Sequence, residues 1–154
     1  IAFQKPEWSI VLVGPEDSEF SRSRLHEMEN VIFIGSRAPE QLPLYINSFD
    51  ICINPQKVNE VTIGNYPRKI DEYLAVGKPV VATRTDSMLM FSEHVYLAVT
   101  NEEYIQLIEK ALMEDTEDLH NLRRQFASTH TWENSVEKIY KSILGFSDNM
   151  VSDK

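Results

Sequence analysis

Residues 65–83, N-Y-P-R-K-I-D-E-Y-L-A-V-G-K-P-V-V-A-T, put a proline, two bases and two acids at the start of a short apolar segment. The spacing predicts a helix over 68–76, entered through Pro67 and left through Gly77-Lys78-Pro79. A helix opening presents backbone N–H groups without helical partners and the positive end of the dipole. That combination suits a phosphate. Pro67 removes a donor that would be unpaired anyway, Arg68 and Lys69 add full positive charge, and Gly64 lets the entering loop turn freely. The dipole alone is worth roughly 1–2 kcal/mol in a partly buried site. Glu72 follows at i+3 from Lys69 and i+4 from Arg68. A carboxylate accepts two hydroxyl hydrogen bonds at once and so matches a ribose diol. The same spacing also allows a plain ion pair with either base on a solvated face. Tyr73 and Leu74 are expected in the core, with Ala75 allowing close contact between helix and sheet.

Other residues carry weaker signals. Gly14 and Gly35 each follow an apolar run, where a tight turn or a ligand needs a missing side chain; neither belongs to a G-x-G-x-x-G fingerprint. Ser36 and Arg37 fall where a base or a phosphate could meet them, or where an ordinary surface arginine would sit. Asn54 and Glu60 lie in the long loop entering the helix, where either could touch a ligand but a loop-ordering hydrogen bond is the expected role. Cys52 lies alone within an apolar run and reads as a small buried residue. His26, His94, His120 and His130 are scattered, and His120 and His130 are expected to face solvent. No metal-ligand spacing, D-x-D, Walker A sequence or nucleophile elbow occurs, so neither a metal nor a cofactor is expected.

These residues need a scaffold, and the pattern supplies one. Short apolar runs at 8–13, 30–35, 50–55, 79–83 and 95–99 read as strands. Helical segments are expected at 39–48, at 68–76, from an N-cap at Thr100 to about Glu114, at 118–129 and at 132–144. Residues 16–29 read as a loop with one short helix, 84–92 as a loop, and 1–8 as the tail of a helix running into a turn. Alternating strands and helices imply an α/β fold: a Rossmann-like parallel sheet of about five strands flanked by helices. Such sheets bind ligands at the carboxyl ends of their strands. Residues 14–15, 35–38, 54–67 and 84–92 should therefore share one edge.

The chain has 154 residues, enough for one core, and a formal net charge of −9. That balance argues against nucleic-acid binding, which needs basic surface. A single cysteine fits a reducing, cytoplasmic setting. No apolar run approaches the roughly 18 residues of a membrane span.

W-S-I-V-L-V-G-P, then N-V-I-F-I-G, then L-P-L-Y-I-N-S-F-D-I-C-I-N-P, then P-R-K-I-D-E-Y-L-A-V-G-K-P-V-V-A-T and H-T-W-E-N-S-V-E-K-I-Y resemble the C-terminal half of a group-4-like glycosyltransferase of the two-domain GT-B fold. The resemblance covers about 7–145. It implies a domain over 1–145 that binds a nucleotide-diphosphate sugar, with 146–154 a flexible tail. Glu72 would grip the ribose, Tyr66 to Lys69 would face the diphosphate, and Ser36 and Arg37 would lie by the base. The donor-binding set is thus Gly14, Ser36, Arg37, Gly64, Asn65, Tyr66, Pro67, Arg68, Lys69 and Glu72, with no catalytic residue assigned. The helix from Trp132 would cross back toward the other domain.

Two departures stand out. Gly64 occupies the place where many such enzymes carry a second glutamate, eight positions before the first, and Glu60 is not in register to replace it. The family's domain also opens with a strand, a Gly-rich loop and a helix. Against that pattern the chain is expected to begin at the end of that helix, which would leave the first strand of a 3-2-1-4-5-6 sheet missing between the strands at 9–13 and 50–53. Either those strands close up as neighbours, or another segment or chain fills the slot, with self-association as one outcome.

The resemblance implies a hexosyltransferase-type enzyme, retaining by inclination. It would act on a hydroxyl acceptor held by an absent N-terminal domain, so this chain alone should not turn over. The expected location is cytoplasmic, with the membrane periphery compatible. A non-catalytic α/β nucleotide- or phosphate-binding module is the alternative. A response-regulator-like signalling domain fits less well, because Gly14-Pro15 follows the first strand where acidic residues would be needed.

Overall fold

A computed structural model describes residues 1–60, 62, 66–131, 134, 136–137 and 140–141. Short, mostly apolar runs of three to five residues become strands: β1 (Ile10–Val13), β2 (Val31–Gly35), β3 (Cys52–Asn54), β4 (Val80–Thr83) and β5 (Tyr96–Ala98). Segments with helical apolar spacing become α1 (Leu42–Ser48), α2 (Arg68–Val76), α3 (Asn101–Glu114) and α4 (Glu117–Ser128). The bounds of α2 and α3 are those read from the sequence. Thr100 caps α3 by accepting the Glu103 amide at 3.1 Å, and Thr116 caps α4 through the Leu119 amide at 3.3 Å.

All strand pairs are parallel, as the alternation required, but they form two sheets rather than one. β1 pairs with β2, and β3, β4 and β5 lie in that order. β1 and β3 are not neighbours, so the direct closure that the sequence left open does not occur. β4 is central in its sheet, and its period-2 alternation feeds both faces. Val80 and Ala82 join Ile70, Leu74, Met88, Phe91 and Ala127 on the side of α2 and α4. Val81 joins Ala98, Tyr104, Ile108 and Ala111 on the side of α3. Trp8, Ile51 and Ile53 also pack on this second cluster, so the entry to β1 and strand β3 share one apolar surface. Lys5 adds an ion pair with Glu109 of α3.

Several expectations need correction. Residues 16–29 carry two 3-10 helices, Phe20–Arg22 and Arg24–Glu27, not one helix. The segment at 39–48 opens as a 3-10 turn, Pro39–Gln41, before α1 begins. Residues 84–92 contain a 3-10 helix, Asp86–Phe91, whose Met88 and Phe91 are buried core residues. Residues 1–8 form turns, with the Gln4 and Lys5 amides both donating to the Ile1 carbonyl at 2.9 Å. Ala75 is exposed and does not face the sheet. Cys52 is buried, and burial pushes its thiol up to about 12, so it stays a neutral core residue. Most of the expected helix at 132–144, and the tail at 146–154, lie outside the described residues.

The C-terminal end of α2 is built for a stop. Gly77 takes a left-handed φ of 89°, and its amide donates to the Leu74 carbonyl at 2.9 Å. Buried Arg123 of α4 donates to the Gly77 carbonyl at 3.2 Å and to Asp115 at 2.8 Å. Arg124 donates to the Val76 carbonyl at 3.4 Å. Positive charge thus sits at the negative end of the α2 dipole.

Candidate functional site

The parallel registers bring the carboxyl ends of the strands in each sheet to one edge. Within the larger sheet the following loops touch: the Gln56 amide donates to Thr83 Oγ1 at 3.0 Å, and the Tyr66 ring lies 5.9 Å from that of Phe91. The amino end of α2 opens on this edge. Ile70 and Leu74 are fully buried and fix the helix on the sheet, while Arg68, Lys69 and Glu72 are exposed.

Pro67 is the N-cap residue of α2, with φ −86° and ψ 79°, and no side chain caps the helix there. The opening is less bare than expected. The Arg68 amide donates to the Tyr66 carbonyl at 3.1 Å and the Ile70 amide to the Pro67 carbonyl at 2.9 Å. Two of the opening donors are therefore already engaged, and Arg68 and Lys69 carry a larger share of the positive potential than the sequence implied.

Glu72 hydrogen-bonds to no described residue and pairs with neither Arg68 nor Lys69. The ion-pair reading that the spacing allowed is thus not the arrangement adopted. Lys69 likewise has no ion pair among the described residues. The outward aspect of α2 therefore presents an acid and a base one turn apart, each open to a ligand.

The smaller sheet contributes Gly14, Ser36 and Arg37. Gly14 takes φ 147° and its amide donates to the Gly35 carbonyl at 3.1 Å, tying the ends of β1 and β2. A side chain there would meet nothing within 4 Å, so the space above it is open. Ser36 and Arg37 are exposed. Arg37 donates from Nε to Tyr45 Oη at 2.8 Å and from Nη1 to the Ser36 carbonyl at 2.9 Å. Tyr45 lies on α1, which packs against α2, so Arg37 is tied to the neighbour of the helix bearing Glu72. Gly64 and Asn65 fall outside the described residues. Asn54 is half-buried and Glu60 exposed.

Sequence reading missed four residues here. Arg84, at the carboxyl end of β4, is exposed with no side-chain partner among the described residues. Asp71 and Phe91 were given no role, and His130 was read as a solvent-facing residue. Asp71 Oδ2 accepts from Tyr66 Oη at 2.7 Å, and burial, then that bond and the Asp71 charge, push the Tyr66 phenol well above its usual range. His130 was expected in solvent, yet its side chain is only 14% exposed and packs against Phe91 and Phe126. His120 is also drawn inward, 2.6 Å from Asp115. A tyrosine five positions before an aspartate hints at the first contact, but no spacing signals a partner 59 positions away.

Among the described residues no group of three His, Cys, Asp or Glu side chains could hold a metal ion, and no helix is long and apolar enough to cross a membrane.

Three comparisons bear on this arrangement. The family model for glycosyl transferases group 1 matches residues 1–114. A protein of Bacillus subtilis (strain 168), TuaH, named as a candidate glycosyltransferase of teichuronic acid biosynthesis, is 33% identical over 147 residues, which is 91% of this chain and 37% of that protein. HepE of Anabaena, solved in complex with UDP, shares the fold with a TM-score of 0.70 at 20% identity, over 91% of this chain and 41% of HepE. Its structure with UDP and glucose gives 0.69 at the same identity and coverage. The chain thus spans about two fifths of the length of the proteins it matches.

Proposed function

The chain belongs to the glycosyl transferases group 1 family, and from that premise we propose that it forms the donor-binding part of a transferase using a nucleotide-diphosphate sugar. The diphosphate lies at the mouth of α2, against Lys69, Arg68 and the amides that remain open beyond Pro67. Glu72, one turn on, accepts both hydroxyls of the ribose. Ser36 and Arg37 stand toward the base, above the open space at Gly14. The glycosyl group then passes to a hydroxyl acceptor held by the rest of the enzyme. As the glycosidic bond breaks, negative charge builds on the departing diphosphate. Fixed positive groups at that point lower the barrier because they need no reorganisation.

One observation carries the reading: among the described residues Glu72 forms no ion pair with Lys69 or Arg68, although both lie within ion-pair spacing. An idle surface acid at i+3 and i+4 from two cations would gain a few tenths of a kcal/mol by pairing. Its freedom fits a group kept for a ligand. The HepE complexes make UDP the first nucleotide to try. The family premise disfavours a signalling domain and a non-catalytic binding module.

Calorimetry with UDP and with inorganic phosphate tests the proposal. UDP is expected to bind at least tenfold more tightly than phosphate, about 1.4 kcal/mol. Glu72→Ala should remove most of that difference and leave phosphate binding unchanged. Equal affinity for UDP and phosphate, or a silent Glu72→Ala, would overturn it.

A further inference from the structure

The donor reading leaves one cluster unused, on the inner side of the α2 opening. Asp71 holds Tyr66 through Oδ2 at 2.7 Å, while its Oδ1 is buried without a hydrogen-bond partner. Nδ1 of His130 is also buried without one. The two atoms face each other at 3.6 Å, a few tenths beyond a hydrogen bond. An aromatic wall encloses them: His130 lies 5.8 Å from Phe91 and 4.4 Å from Phe126, and Phe91 lies 5.9 Å from Tyr66. The remaining titratable groups around His130 are His94, whose protonation burial disfavours, and Glu93 and Arg123 beyond it.

Buried polar atoms are rarely left unpaired, and a proton on His130 Nδ1 satisfies both at once. Asp71 lies in the first turn of α2, where its charge would oppose an anion at the mouth. We propose that Asp71 and His130 are positioning residues for the donor site. His130 donates from Nδ1 to Asp71 Oδ1, which fixes the carboxylate so that Oδ2 holds Tyr66 and the chain entering α2. The inference rests on the donor reading. It predicts that a residue just beyond α4, remote in sequence, sets the strength of nucleotide binding.

The test measures the affinity of UDP and of inorganic phosphate for the wild-type chain, for His130→Phe and for His130→Asn, whose side-chain amide can donate from the place of Nδ1. His130→Phe should weaken UDP binding about threefold or more, roughly 0.7 kcal/mol. His130→Asn should restore most of it. A second arm needs no ligand: NMR of the ring nitrogens should show the His130 proton on Nδ1, and that signature should be lost in Asp71→Asn. A His130→Phe chain that binds UDP as tightly as wild type, or a His130 ring with its proton on Nε2, overturns the inference alone. UDP binding no tighter than phosphate in the wild type overturns the donor reading and this inference together.

Discussion

Glu72 and Asp71 are adjacent acids with opposite fates, and the helical rotation between them explains why. Glu72 falls on the face opposite Ile70 and Leu74 and meets solvent; Asp71 falls toward α4 and is drawn into a network. A third acid, Asp115, shows what full pairing does. Burial pushes its carboxyl up, but hydrogen bonds from Arg123 and His120, with their charges, outweigh it and hold the group below its ordinary 3.8. Because the folded value is depressed, the stability from this group is present above about pH 4 and is lost as pH falls through the folded value. Asp115→Asn is therefore expected to cost about 1–2 kcal/mol at neutral pH. The gap from wild type should shrink steadily below pH 3.8. Urea denaturation of both proteins across that range checks it. A gap that persists unchanged into acid would mean that the Asp115 charge contributes nothing.

At the scale of elements, α2 joins site and scaffold: a ligand-facing mouth at one end and an arginine-capped stop at the other. Gly77 is the hinge of that stop. A Cβ added there would come within 2.8 Å of Arg124 Nη1 and 3.2 Å of His120, on a backbone with φ 89°. Gly77→Ala should cost more than about 1 kcal/mol, since the left-handed strain and the displaced arginine add. Thermal unfolding would show it, and a neutral result would mean that Arg124 swings away freely. The same helix shows what sequence can disclose. Proline before, glycine after and apolar residues at 70 and 74 specify α2 to its ends, because helix limits are set by local backbone chemistry. Glu72 was legible as a candidate for the same local reason. The 3-10 helix at Asp86–Phe91 was not, because six residues with mixed polarity give no full period. His130 was misread because its burial depends on Phe91 and Phe126, a tertiary contact that its own neighbours do not encode.

For the whole molecule the decisive feature is the split sheet. Parallel strands are normally covered on both faces and paired along their length. β4 obeys this, with Val80, Val81 and Ala82 fully buried. β1 does not: Ile10, Val11, Leu12 and Val13 are all only partly buried, although every one is apolar. Among the described residues β1 pairs only with β2, and β3 only with β4, so each has one edge that no described strand occupies. Trp8 on one side and Ile51 and Ile53 on the other rest on the same cluster, which places these edges over a shared apolar surface. Free edges beside apolar surface are templates for another strand. The 154-residue chain is therefore expected to self-associate, with a second copy pairing along β1 or β3. Sedimentation velocity over a concentration series should show dimers or larger species. Replacing Val11 by Lys, which puts a charge on the half-covered strand, should shift the distribution toward monomer. A wild-type chain that stays monomeric throughout and melts cooperatively at about 45–65 °C, where mesophile domains cluster, would show instead that the two sheets are self-sufficient.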